Sequence, residues 1–352
     1  MAWQSQFTVD GAGYTAVTNL GQNRIGLHKE IMKILVTGAA GFIGSNLAEK
    51  LAKRGDKVVG LDNFNDYYDP AKKRANAQRL AAYPNFHMVE DDIRQRQAMF
   101  DLFASEKFEA VAHLAAMAGV RNAVQYPELY VEVNLNGTQN LLDAARAAGT
   151  VQNFVMASTS SVYGNTSQIP FVETDPCDRP LQPYAAAKRA AEILGYAYHH
   201  LYGLNFTAVR FFTVYGPNGR PDMMAYLVAE SVAKGIQIPL YDSGNMYRDW
   251  TYIDDITDGV VAALDKPLGY EIINLGRGEP IQLKEFVELI EAAGGQKANV
   301  FHRPRLAADF VKNEADISKA RRLLGYNPQI SVEEGVRRFW EWYETAVLKH
   351  SA

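Results

Sequence analysis

Six short apolar runs, at residues 34–37, 58–61, 86–89, 110–113, 154–157 and 207–211, constrain this chain most, because helical patterns separate most of them. Each reads as a strand buried on both faces, and alternation with helices calls for parallel pairing through crossovers. The sequence predicts an α/β fold: a Rossmann-type, doubly wound parallel sheet with a smaller C-terminal α/β lobe. Prolines at 127 and 183 suit first helical turns and predict long helices over 127–148 and 183–202, two candidates for a dimer face. After Tyr215-Gly216-Pro217-Asn218-Gly219 the alternation weakens, and a last helix is predicted over 332–348.

A chain of 352 residues is long enough for two packed lobes. We expect an N-terminal extension over 1–31 without order, a nucleotide-binding domain over 32–213 to which 247–265 returns, and a mainly substrate-binding lobe over 214–352. Hydrophobic residues at 47% and charged residues at 22% describe an ordinary globular protein. A net charge of -4 gives no electrostatic reason to expect nucleic acid or an anionic membrane. Cys177 is the single cysteine, so no internal disulfide forms; a reducing cytoplasm and no metal cluster are expected. The first 31 residues carry neither a signal-peptide pattern nor an apolar span.

Gly38-Ala39-Ala40-Gly41-Phe42-Ile43-Gly44 follows the first strand and opens a helix, the context that makes a glycine-rich run a dinucleotide signal. Gly38 permits the turn, Gly41 lets the backbone approach a pyrophosphate, and Gly44 allows close packing. A merely tight turn is the competing reading. Asp62-Asn63 ends the second strand, where a carboxylate suits the adenosine ribose and repels a 2′-phosphate, favouring NAD over NADP. Asp62 also suits a strand-end turn. Asp92-Ile93 follows the third strand, placed to meet adenine or to cap a helix.

Tyr184 and Lys188 stand four apart, which on a helix sets both on one face, about 5–6 Å between Cβ atoms. A nearby ammonium favours the phenolate, so the pair predicts a proton-taking tyrosine beside the hydroxyls of Thr159-Ser160-Ser161.

The ordered strings TGAAGFIGS, HLAA, NLNGT, STSSVYG, PYAAAK, RFFTVYGP and RDWTYIDD resemble the extended short-chain dehydrogenase/reductase superfamily, and within it the NAD-dependent nucleotide-sugar epimerases. The resemblance covers about residues 32–345. It implies Tyr184 as catalytic base, Lys188 as the lysine that holds the nicotinamide ribose and lowers the tyrosine's pKa, and Thr159 as partner of the reacting hydroxyl. It also implies Ala115, Ala116, Asn134 and Phe211 around NAD. In the second lobe it implies Arg248 on a UDP diphosphate, Asp309 on its ribose, Tyr241 against uracil and Arg305 as a further contact. At 304–309 the chain departs from the family's usual Gly-Asp, which blurs the register. Bland readings compete: exposed arginines at 248 and 305, a core tyrosine at 241, and a turn-capping Asn134. A homodimer is implied by the resemblance as well.

Related dehydratases carry Asp-Glu after the threonine and uronate decarboxylases carry Ser-Glu; here Ser160-Ser161 offers no carboxyl group for elimination. The plain outcome is C4 epimerisation. Thr213 replaces the asparagine usual in galactose-type epimerases, and Thr159, Ser160, Ser161 and Thr213 together offer donors to a C6 carboxylate. Arg121 and Arg220 are further candidates, ranked below the hydroxyls. With the neighbouring runs at 65–70, 118–121 and 219–223, the chain most resembles the UDP-glucuronate 4-epimerases. The competing readings are a neutral UDP-hexose or N-acetylhexosamine 4-epimerase, a UDP-glucuronate decarboxylase, and a non-enzymatic NAD-binding scaffold or redox sensor.

Overall fold

A computed structural model describes residues 31–305 and 310–349. The expectations for residues 1–30 and for Asp309 fall outside them. The first half alternates as its apolar runs require: β1 (Lys33–Thr37), α1 (Phe42–Arg54), β2 (Lys57–Asp62), α2 (Pro70–Leu80), β3 (Phe86–Glu90), α3 (Arg96–Glu106) and β4 (Ala110–His113). Three helical pieces follow, α4 (Val120–Gln125), α5 (Pro127–Val131) and α6 (Gly137–Ala148), the last two joined by a π-helical stretch over Glu132–Asn136. Then come β5 (Asn153–Thr159), α7 (Pro183–Tyr202) and β6 (Phe206–Phe211). All residues of β5 and β6 are buried, as strands covered on both faces should be.

The helix ends have local causes. Pro70 and Pro183 occupy first turns, and the Asp69 and Gln182 side chains accept from the N–H of Ala71 and Ala185. Gly203 ends α7 in the left-handed region, where a Cβ would be strained.

The second half contains β7 (Thr213–Tyr215), α8 (Met224–Lys234), β8 (Ile238–Tyr241), β9 (Tyr247–Arg248), β10 (Trp250–Tyr252), α9 (Ile253–Leu264) and β11 (Tyr270–Leu275). It ends with β12 (Ile281–Gln282), α10 (Leu283–Gly294), β13 (Val300–Arg303), α11 (Ser318–Leu324) and α12 (Val332–Tyr343). The central sheet has seven parallel strands in the order β11-β6-β5-β4-β1-β2-β3. The seventh, β11, escaped the reading of six runs: its first half, Tyr270-Glu271-Ile272, is only half-buried and breaks the apolar pattern. It adds a segment beyond residue 265 to the first sheet, which the division at 213/214 leaves out. α9 packs against α1 and beside β4, β5 and β6.

Between β1 and β4 the strand order reverses. That reversal opens a crevice at the carboxyl ends of the strands, the usual ligand position in such sheets. Among the described residues, no helix is long and apolar enough to cross a membrane.

Candidate active site

A cleft of about 780 Å³ occupies the crevice. Its walls come from five strand ends: Gly38 after β1, Asp62 on β2, the Leu114–Met117 loop after β4, Thr159 on β5 and Phe211 on β6. Gly38 adopts φ +70°, and a Cβ at Gly44 would stand 2.0 Å from the Gly38 carbonyl oxygen. The two glycines therefore let the β1 turn close directly on the first turn of α1. Gly41, Phe42 and Ile43 line the same floor, where the N-terminus of α1 offers N–H groups to an anion. A pyrophosphate suits this cradle.

Asp62 is both a turn residue and a wall of the cleft. Its oxygens accept from Phe64 N at 2.9 Å and Ala40 N at 3.1 Å, so it braces the glycine turn while facing the cleft. Burial raises its pKa, and these N–H groups and the Lys73 charge oppose the rise. Asn63, Asp92 and Ile93 line the same end. Asp92 accepts from Asn63 Nδ2 at 2.9 Å and from Arg94; although burial works against its ionisation, the Arg94 guanidinium and backbone hold its pKa low.

Ala115 and Ala116 line the cleft, but Asn134 does not share their position. Asn134 is fully buried behind their loop, accepting from Met117 N and donating to Met117 O, each at 2.9 Å. It shapes the wall from the far side, because its carboxamide matches both backbone groups of one residue.

Tyr184, Lys188 and Thr159 converge in the cleft. Thr159 shares the cleft lining with Tyr184, and the Tyr130 ring meets the Tyr184 ring edge-on at 6.0 Å. The electrostatics differ from expectation. Burial pushes the Tyr184 pKa up, and the groups opposing that rise are the Thr159 hydroxyl and the Arg220 charge. Lys188 is buried and donates to the Ala157 carbonyl at 2.9 Å. Burial lowers its own pKa to about 8, against the pull of Glu192 one turn on. Lys188 thus places one of its three N–H donors on strand β5.

Arg220 lines the cleft, held by Asp222 at 2.6 and 3.0 Å and lying 5.0 Å over the Tyr67 ring. Of the four hydroxyls ranked above it, Thr159 shares this lining. Ser160 is buried, and its hydroxyl accepts from Asn313 Nδ2 at 3.2 Å; Ser161 and Thr213 are half-buried and outside the described lining of this cleft. Alternation along β7 explains Thr213, since its neighbours Phe212 and Val214 are the ones that face in. Arg121 lies in α4, and its side chain falls outside the description.

The second-lobe candidates stand apart from this lining. Tyr241 is buried in the core on β8, which pairs with β13. Arg248, on β9, donates to the carbonyls of Tyr247 at 2.8 Å and Phe310 at 3.0 Å. Arg305 is exposed beside the undescribed segment 306–309. Sequence reasoning missed Tyr67, Tyr130 and Lys73, which also line the cleft. The aromatic run at 65–70 was a signal for Tyr67; Tyr130, inside a helical stretch, offered none.

A family model described as the NAD dependent epimerase/dehydratase family matches residues 34–276. The chain belongs to this family. A UDP-glucuronate 4-epimerase of Thermodesulfobacterium geofontis is 47% identical over 309 residues, covering 88% of this chain and 95% of that protein. UDP-glucuronate 4-epimerase 4 of Arabidopsis thaliana is 42% identical over 328 residues, covering 88% and 75%. A crystal structure of UDP-glucuronic acid 4-epimerase from Bacillus cereus, in complex with UDP-glucuronic acid and NAD, matches with a TM-score of 0.83 and 34% identity. That match covers 90% of this chain and 100% of the other. The glycine cradle and the Asp62 wall fit the family's cofactor, NAD.

Proposed function

We propose that this epimerase-family chain interconverts UDP-glucuronate and UDP-galacturonate by inverting C4 through a transient 4-keto sugar. It is an NAD-dependent isomerase. The observation that carries this reading is the convergence of Tyr184, Thr159 and Lys188 in a dinucleotide cleft where Ser160-Ser161, and no carboxyl group, follows the threonine. Its similarity to curated UDP-glucuronate 4-epimerases along most of its length supports the choice of sugar.

NAD, when bound, supplies the hydride acceptor and donor for C4. Gly38, Gly41, Phe42, Ile43, Gly44, Asp62, Asn63 and the Ala115-Ala116 backbone would hold it. Tyr184 takes the proton from the C4 hydroxyl and, once the keto sugar has turned over, returns it to the C4 oxygen. Thr159, in the same lining, meets the reacting hydroxyl, and the Arg220 charge favours the phenolate. Arg248 is assigned to the diphosphate and Tyr241 to the uracil end, with Arg305 and Asp309 beside them.

The C6 carboxylate is assigned to Thr159 and Arg220, with Ser161 and Thr213 as further donors. Ser160 acts indirectly, through Asn313. A 4-keto uronate is a β-keto acid, and a carboxylate held near the ketone plane keeps its C–C bond poorly aligned for loss of carbon dioxide.

Incubation with UDP-glucuronate and no added reductant tests the reading: UDP-galacturonate is expected, and UDP-pentose or no product defeats it. Thr213→Ala and Ser161→Ala should each lower the preference for uronate over hexose about tenfold, the scale of one charge-assisted hydrogen bond. Unchanged preference in both removes those two residues from the carboxylate assignment.

A homodimer belongs to the same proposal. Ile193 and Tyr196 on α7, and Val131 on α5, are exposed apolar side chains on the two helices singled out for a dimer face. Sedimentation at a single-chain mass would refute it. The single buried cysteine, Cys177, accords with a cytoplasmic setting.

A further inference from the structure

His113 closes β4, is fully buried, and has no part in the proton transfer assigned to Tyr184. Its ring lies between two threonines, with Nδ1 2.8 Å from Thr37 Oγ1 and Nε2 2.9 Å from Thr138 Oγ1. The outer contacts of these hydroxyls fix where each hydrogen sits. The Ala115 N–H donates to Thr37 Oγ1 at 3.1 Å, which leaves the hydroxyl's own hydrogen available to Nδ1. Thr138 Oγ1 donates to the Asn134 carbonyl at 2.7 Å, which leaves the oxygen to accept from Nε2–H.

From Ala115 to Asn134 every donor meets one acceptor only when the imidazole is neutral and carries its hydrogen on Nε2. The other tautomer would set Nδ1–H against Thr37 and leave Nε2 without a donor, since the Thr138 hydrogen is engaged by Asn134. Burial, with the Lys188 charge nearby, also opposes protonation of the ring and holds its pKa well below the ordinary histidine value.

The row does not end at Asn134. Its carboxamide grips both backbone groups of Met117, so the hydrogen bonds that begin at Ala115 return to the same loop two residues on. Ala115, Ala116 and Met117 all line the cleft. We propose that His113, as the neutral Nε2–H tautomer, is a positioning residue that ties Ala115 to Asn134 and Met117 and so holds the cofactor-facing loop in shape. The assignment of that loop to NAD rests on the family reading; the tautomer does not.

Nitrogen-15 spectra of protein labelled at histidine test the tautomer in the native chain, with the His113 signals identified by their loss in His113→Gln. A protonated Nε2 and an unprotonated Nδ1, unchanged from pH 6 to pH 9, are expected. An Nδ1–H pattern or a titrating imidazolium overturns the proposal even if NAD binding is as described.

Calorimetric titration of NAD into cofactor-stripped protein tests the positioning. His113→Phe keeps an aromatic ring beside Phe154, 6.0 Å between centroids, but neither donor nor acceptor. It should weaken NAD binding about tenfold or more, the loss of at least one net hydrogen bond, and His113→Gln should recover part of that loss. Wild-type NAD affinity in a folded His113→Phe protein overturns the positioning role. If that variant does not fold, the comparison of His113→Gln with wild type decides: Gln retains one donor and one acceptor, so a loss of less than about tenfold is expected, and a loss of about tenfold or more refutes the proposal.

Discussion

The cofactor crevice and the second lobe hold their candidate residues by different means. In the crevice, Thr159 and Phe211 end strands of seven and six residues that are buried throughout, so the sheet itself sets their positions. In the second lobe, Arg248 ends a two-residue strand, and its surroundings are fixed by side chains that bridge backbone segments. Asp249, fully buried, accepts from Arg277 N at 2.7 Å, Gly278 N at 2.9 Å and Ala315 N at 3.1 Å, joining three loops. Asn313 reaches from this region to Ser160 and to Asp249 N, linking the two halves of the site. A sheet that sets positions by its strands thus adjoins a lobe whose loops are set by buried side-chain tethers.

Tyr184→Phe should test this contrast with the largest effect. Removing the proton-transferring hydroxyl should lower the epimerisation rate about 10²- to 10⁴-fold while the NAD content of the purified protein stays at the wild-type level. Loss of NAD in parallel would mean that the tyrosine holds the crevice together rather than serving its chemistry.

Arg248→Ala should act on the other side. Loss of charge-assisted hydrogen bonds to a diphosphate should raise KM for UDP-glucuronate about 10- to 100-fold with kcat within a few-fold of wild type. A fall in kcat with KM unchanged would move Arg248 out of substrate binding and erase the distinction between the regions.

The smallest effect concerns Lys188 in cofactor-free protein. Its folded pKa of about 8 lies below the ordinary lysine value of 10.5. Between those values the unfolded chain binds more protons, so this group's contribution to stability rises with pH, and the cost of its buried charge is complete below pH 8. Relative to Lys188→Met, the wild type should gain stability between pH 8 and 10.5, as read from urea midpoints. A constant difference between the two across that range would show that the ammonium is not destabilised by its surroundings.

Much of the crevice was legible because its signals are local. A strand, a glycine turn and a helix start fall within residues 33–44, and Tyr184 and Lys188 share a helix, so periodicity and spacing suffice. β11 was not legible, since half-buried residues at its start broke the apolar run. The hydroxyl cluster misled for a similar reason: adjacency in sequence put Ser160 with Thr159, whereas the backbone turns it toward Asn313. Arg220 was undervalued because its reach to Tyr184 depends on Asp222 and the Tyr67 ring, a placement that no local pattern records.

By itself, the sequence determined the parallel sheet, the nucleotide crevice at its switch point, the tyrosine–lysine pair on one helix and the lack of a carboxyl group after Thr159. These follow from residue type and short spacing, which the chain carries whatever its surroundings. Only the tertiary structure decided which hydroxyl faces the cleft, that Asn134 works from behind the wall, and which nitrogen of His113 bears the hydrogen. Those depend on donors and acceptors far apart along the chain, 76 residues for Thr37 and His113 and 153 for Ser160 and Asn313, that meet only when the sheet has formed.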